Sequence, residues 1–319
     1  MENVVAVDTE TTGLTWTDTP FAVSLYQPHV VPWEKYYYDW REDETELTDA
    51  IKALQYYIDA EWDIVFHNAK FDLRMLEKIG ITVPSERVHD TNCLAHLLDE
   101  HQDKRLKALA RNHLKVETDE EEVLKKVRRQ LKLKKEDGFY PIPREYIEPY
   151  AIKDAEFTYR LFKKFYPIFK ANPDLHQLYR FEIQFGFDLA EIEAQGIGVD
   201  VAYVDYMIND LTSTYMIEED WLIDQLSSVG IPDPNPRSND QIKHYLTTTG
   251  IEVENFQAET LAQVGTEVTD RIVGMRKVGK LLNTYFRNIK TEIVDGILHP
   301  WFRQHGTRTG RMSSGAASK

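Results

Sequence analysis

At 319 residues and 37.3 kDa, the chain is long enough for two domains with substantial cores, and 42% hydrophobic with 29% charged residues is an ordinary globular balance. No apolar stretch approaches bilayer-spanning length, so no membrane partner is expected, and the lone Cys93 excludes an internal disulfide framework and a cysteine-built zinc site. A net charge of −15 argues against nonspecific nucleic-acid binding by the whole surface and leaves local patches to decide contacts.

The first element begins almost at Met1, leaving no room for a signal or transit peptide, so a cytoplasmic location is expected. The run VVAVDTETTGL starts as a strand covered on both faces, because a short valine-rich stretch fits a pleated interior. PFAVSLYQ and EKYYYDW read as further strands, ELTDAIKALQYYID as an amphipathic helix, and EWDIVFHNA as a strand. LRMLEKIG is helical and stopped by Gly80, DTNCLAHLLDEH is helical, and REYIEPYAIKDAEFTYRLFKKFYPIF is one long helix ended by the turn Ala171-Asn172-Pro173-Asp174. This alternation predicts an α/β domain over residues 1–175. Beyond it the pattern is mostly helical. FEIQFGFDLAEIEAQGIGVD is a helix ending in a Gly-rich turn, Asp200 is placed to cap the next helix, and Ser238 with Gln241 has the spacing of a capping box.

Chemistry is suggested by three acidic signatures. Asp8 and Glu10 stand two apart on the opening strand and therefore face one way, where two like charges repel. Asp72, in His67-Asn68-Ala69-Lys70-Phe71-Asp72, falls in the first turn of a helix, where the dipole favours its ionised form. Tyr150 and Asp154, four apart on the long helix, project from one face. Neither Lys70 nor Lys153 is an obvious local partner for these acids. Gathering four such carboxylates calls for hard cations, and oxygen-only ligation points to Mg²⁺ or Mn²⁺. His67, His89, His96 and His101 lack zinc-ligand spacing and read as structural. Two basic runs, 104–115 and 124–135, are either solvated faces or contacts for the phosphates of a frayed strand.

VDTETTGL, HNAKFD and YAIKD, in that order, resemble the three exonuclease motifs of the proofreading domain of family A DNA polymerases, members of the DEDD superfamily with a ribonuclease H-like fold. The resemblance implies a mixed sheet flanked by helices, two divalent ions held by Asp8, Glu10, Asp72 and Asp154, and a water oriented by Tyr150. Pro149 stands where the histidine subtype would carry its histidine, which favours the tyrosine subtype. It further implies that Thr11, Leu14 and Asn68 contact the terminal nucleotide, and that DNA 3′ ends are trimmed to nucleoside 5′-monophosphates.

The second half resembles the start of the polymerase module: a mostly α-helical thumb-like domain over 176–295 and the beginning of a palm over 296–319. Asn235, Ser238 and Gln241 fit one of its patterns, KLLNTYFRNI resembles the thumb helix, and GTRTGRMSS resembles the segment before the first polymerase motif. By that resemblance Lys280, Asn283 and Thr284 would touch duplex backbone, and Arg311 the minor groove at the primer end. No aspartate-bearing polymerase motif follows, so the chain alone is expected not to polymerise. A palm and fingers chain, or a missing C-terminal region, is the expected partner, docking on apolar surface near Trp301 and Phe302. An exoribonuclease and a noncatalytic DNA-clamping subunit are the alternative functions.

Overall fold

In a computed structural model, which describes residues 3–28, 36–134 and 137–315, Val4–Thr11 forms a strand, β1, buried along its whole length. Its burial follows from its central place. It pairs antiparallel with β2 (Pro20–Tyr26) on one side and parallel with β4 (Asp63–Phe66) on the other, while β3 (Tyr37–Asp39) and β5 (Val88–Asp90) form the edges. The sheet order is β3-β2-β1-β4-β5, a mixed sheet with helices packed against it. The strand expected over EKYYYDW is shorter than that reading, and its residues 34 and 35 lie outside the described residues.

Helix α1 (Thr45–Asp59) follows β3, and α2 (Ala69–Glu77) and α3 (Thr91–Leu98) follow β4 and β5. A short helix, α4 (Leu106–Leu109), passes into a π-helical turn, Ala110–Leu114, before α5 (Asp119–Gln130). The long helix α6 (Arg144–Lys170) carries Pro149 and Pro167 within it and buries Leu161, Phe162, Phe165 and Phe169 in the core that contains Val4, Val5, Val65 and Phe66. Aliphatic and aromatic burial of this kind, at about 25 cal/mol per Å², is the main favourable contribution to folding.

The chain divides into two compact units, residues 1–196 together with 299–319, and residues 197–298. The boundary expected near 175 therefore moves to Gly196. The physical reason is that α7 (Pro173–Gln195), capped by Asn172, buries Tyr179 and Ile183 in the first core. The Tyr179 hydroxyl accepts from the Asp90 N–H of β5 at 3.0 Å and lies 3.0 Å from the Nδ1 of His89 on the same strand. The segment read as an incipient palm also folds with the first unit from His299 onward. Its hairpin pairs β9 (Trp301–Arg303) with β10 (Ser313–Gly315). Trp301 is not an exposed docking surface as expected: it is 6% exposed and clusters with Phe71 and Met75 of α2.

The second unit is helical. Short strands β6 (Ile197–Gly198), β7 (Ile293–Val294) and β8 (Ile297–Leu298) form a three-stranded sheet in the order β6-β8-β7. Between them run α8 (Val201–Ser228), α9 (Asn239–Thr248), α10 (Ala258–Val264) and α11 (Glu267–Lys280), then a π-helical stretch, Leu281–Phe286, and α12 (Arg287–Glu292). Asp200 caps α8 as expected, accepting from the Tyr203 N–H. Ser238 caps α9, but the expected reciprocal box does not form: Gln241 turns its side chain to the Asn235 N–H, 2.6 Å away, and to the Asp233 carbonyl. No helix among the described residues is long and apolar enough to cross a membrane.

Candidate active site

Strand alternation puts Asp8 and Glu10 on one side of β1, and both are buried, at 7% and 4% exposure. Helix α6 lies against this strand and β2, where the Ser24 hydroxyl donates to the Ala151 carbonyl over 2.9 Å. That tie falls between Tyr150 and Asp154, which share one helix face a turn apart. The Tyr150 hydroxyl donates to the Asp154 carboxylate. Burial pushes the Tyr150 hydroxyl's pKa well up, and the charges of Asp154, Glu10 and Asp8 push it further. Burial also raises the Asp154 carboxyl, to about 6; the Lys107 ammonium opposes the rise and the Asp8 carboxylate adds to it. Asp154, Glu10 and Asp8 thus all act on a phenol that stays protonated at neutral pH, and Asp8 acts on Asp154.

Asp72 is held differently. Its helix starts at Asn68, whose left-handed backbone (φ 76°) turns the chain out of β4, and Asp90 accepts from the N–H groups of Asn68 and Ala69 at 3.0 and 2.8 Å. Asp90 also caps α3, accepting from Asn92 and Cys93. One carboxylate therefore fixes two helix starts. Asp72, fully buried, accepts from the Thr9 N–H at 3.0 Å and the Thr9 hydroxyl at 2.6 Å. By alternation Thr9 faces away from Asp8 and Glu10, so the structure joins Asp72 to the residue between the two acids.

Among the described residues, no three His, Cys, Asp or Glu side chains converge as a ready-made metal cage. Two of the expected ligands already have partners: Lys107 donates to Asp154, and Thr9 donates to Asp72 through its N–H and its hydroxyl. The donor set nevertheless has the chemistry of a hard divalent cation site, since every candidate ligand is a carboxylate and the three that interact are buried.

Of the expected substrate contacts, Thr11 donates its hydroxyl to the Gly13 carbonyl at 2.7 Å. Leu14 is 41% exposed, on a loop held by Asp18, which accepts from Thr12 and Thr15. Lys280, Asn283 and Thr284 are exposed residues of the second unit, where Asn283 donates to the Gly279 carbonyl and accepts from Arg287. Arg311 is exposed, and its carbonyl accepts from the Thr307 hydroxyl.

The basic runs divide. Lys104 donates to the His305 carbonyl and Arg111 to the Thr118 hydroxyl, while Lys125 pairs with Glu121 and Glu122 on exposed α5. Lys134 follows that helix, and Lys135 lies outside the described residues. The sequence reading missed Lys107, Thr9 and Asp90. Periodicity could not single out Lys107, because its partner is 47 positions away. Asp90, one residue before a helix, carried the usual N-cap signal.

A mixed sheet whose central strand, a helix N-terminus and a crossing helix each supply buried acids is the architecture of a ribonuclease H-like nuclease domain. The family model described as 3′-5′ exonuclease of DNA polymerase A matches residues 1–170, and the chain belongs to that family. It is 29% identical to DNA polymerase DpoZ of Salmonella phage PMBT28 over 98% of this chain and 52% of that protein. It is 30% identical to the DNA polymerase of Escherichia phage T5 over 85% of this chain and 35% of that one. The chain thus spans about half, or less, of these relatives. The POL domain of Pol1 from M. smegmatis, solved with a DNA primer-template and dNTP, shares the fold at a TM-score of 0.66 and 19% identity, covering 97% of this chain and 50% of that one.

Proposed function

We propose that the chain is a metal-dependent 3′-5′ exonuclease that removes nucleotides from DNA 3′ ends as nucleoside 5′-monophosphates. The observation that supports this reading is the packing of α6, with Tyr150 and Asp154 on one face, against the strand that carries the buried Asp8 and Glu10, within the segment that the 3′-5′ exonuclease family model matches. Asp8, Glu10 and Asp154 would hold two divalent cations, Mg²⁺ or Mn²⁺, with Asp72 supporting them through water. Such ions supply charge neutralisation for an in-line displacement at phosphorus. Tyr150, kept protonated, and Glu10 orient the attacking water, and Glu10 takes up its proton. The water oxygen bonds to phosphorus, the bond to the 3′-oxygen breaks, and that oxygen takes a proton from bulk water to leave as a hydroxyl, while Glu10 returns its proton to solvent. Leu14 packs against the terminal base or sugar, and Thr11 and Asn68 position the same nucleotide.

The biological role we assign is proofreading, within a family A polymerase whose remaining palm and fingers lie on a partner chain or on a continuation of this one. Alignment of nearly the whole chain with about half of a phage polymerase supports that assignment. In it, the first unit supplies the nuclease, the second a thumb whose Lys280, Asn283 and Thr284 meet duplex DNA, and the segment from His299 the start of the palm with Arg311 at the primer end. The test is mononucleotide release from matched DNA and RNA oligonucleotides with Mg²⁺. We expect DNA to be degraded from the 3′ end and Asp8→Ala to abolish release. Release that survives Asp8→Ala, or a preference for RNA, would overturn the assignment.

A further inference from the structure

We propose that Lys107 is an internal counter-ion of the nuclease site, holding Asp154 at rest and surrendering it when a divalent cation binds. The proposal rests on the exonuclease reading above and deepens it. The Lys107 ammonium donates to the Asp154 carboxylate, and the two side chains are 10% and 9% exposed. It also lies 4.4 Å from the centroid of the Tyr150 ring and 5.1 Å from that of Phe157. A buried ammonium is tolerated when a carboxylate and aromatic faces replace its hydration. The lysines nearest the motifs cannot serve this purpose, because Lys70 pairs with Glu193 and Lys153 with Glu156.

Like charges gathered around Tyr150 would drive one another apart without a cation, and Lys107 supplies one as part of the chain. Lysine suits a reversible contact, since its ammonium is a point charge on a flexible stem, whereas arginine would clamp a carboxylate through two parallel bonds. The stem leaves α4 just ahead of the π-helical turn Ala110–Leu114. A divalent cation needs the same carboxylate, so cation and ammonium compete, and the competition weakens metal binding.

Mn²⁺ binding to the full chain, followed by electron paramagnetic resonance at pH 8.5 where protons compete least, tests this. Lys107→Met should bind Mn²⁺ about tenfold more tightly than the wild type, a change equivalent to about 1.4 kcal/mol; Lys107→Arg should not. In the wild type, a lysine-selective ammonium NMR signal present without metal should move or vanish on adding Mg²⁺, a readout that needs no variant to fold. Unchanged or weaker Mn²⁺ binding by Lys107→Met, or a Lys107 signal indifferent to Mg²⁺, would refute the counter-ion role. Wild-type Mn²⁺ binding that is lost in Asp8→Ala would then leave the exonuclease reading standing. Failure to find such Asp8-dependent binding would remove the metal site itself, and this proposal with it.

Discussion

Glu193→Ala is expected to destabilise the first unit by about 3 kcal/mol, at the lower end of the cost of stripping one partner from a buried ion pair. Glu193 is 2% exposed and pairs with Lys70, itself 10% exposed. Its carboxylate also accepts from the Phe302 N–H at 2.5 Å, and Lys70 donates to the Phe302 carbonyl at 2.6 Å. Removing the carboxylate strands an ammonium and an amide together. Two features hold the cost down. Lys70 keeps the Phe302 carbonyl and the Trp301 ring, whose centroid is 4.0 Å away. Burial already pushes the Lys70 pKa down against the pull of Glu193, so without that carboxylate it sheds its proton more readily. Denaturant unfolding followed by tryptophan fluorescence reads the loss, and the melting temperature should fall by roughly 6–12 °C. Replacing both partners, in Lys70→Met with Glu193→Leu, should recover most of the stability, because no charge is then left buried. Lys70 lies two residues before Asp72 on α2, so nuclease activity should fall with the single variant and return with the double one. A Glu193→Ala protein within about 0.5 kcal/mol of the wild type would refute this account of the docked hairpin.

Asp90→Ala should cost about 2 kcal/mol or more by urea titration, since it removes the caps of both α2 and α3 at once. The same variant should slow the nuclease by loosening Asp72. Gly138→Ala should destabilise by about 1–2 kcal/mol, because Gly138 has φ +62° and an added Cβ would stand 2.8 Å from the Thr12 carbonyl oxygen. Its KM for a DNA end should rise, the loop bearing Leu14 being displaced. Burial, then His305 and Lys104, lower the pKa of His96 to about 4. Because the unfolded chain binds that proton first, the stability His96 contributes is complete above pH 6.5 and is lost as pH falls through 4. After discounting for solvent screening the effect is on the order of 1 kcal/mol. Thermal melts between pH 7 and 4 should show a shallower slope in His96→Gln.

Much of the first unit was legible because its signals are local. The valine run of β1, the turn at 171–174 and the i, i+4 spacing of Tyr150 and Asp154 each depend on neighbours in the chain. The domain boundary was misplaced because the turn at 171–174 is a true break between two helices, yet α7 returns to the first core through Tyr179. Local sequence records where a helix stops and cannot record which core it then joins. Trp301 misled for a related reason: an aromatic on a short strand reads alike whether Phe71 covers it or solvent does.

The order and chemical type of the acids, and hence the family, were determined by sequence alone, since Asp8, Glu10, Asp72, Tyr150 and Asp154 sit at fixed spacings inside recognisable elements. Only the tertiary structure decided how their charge is compensated. Thr9 takes Asp72, Lys107 takes Asp154, and Asp90 sets the helix that carries Asp72, through contacts that span 63, 47 and 21 positions. Electrostatic compensation depends on distance in space and on burial, and neither is encoded in the spacing of residues along a strand or helix.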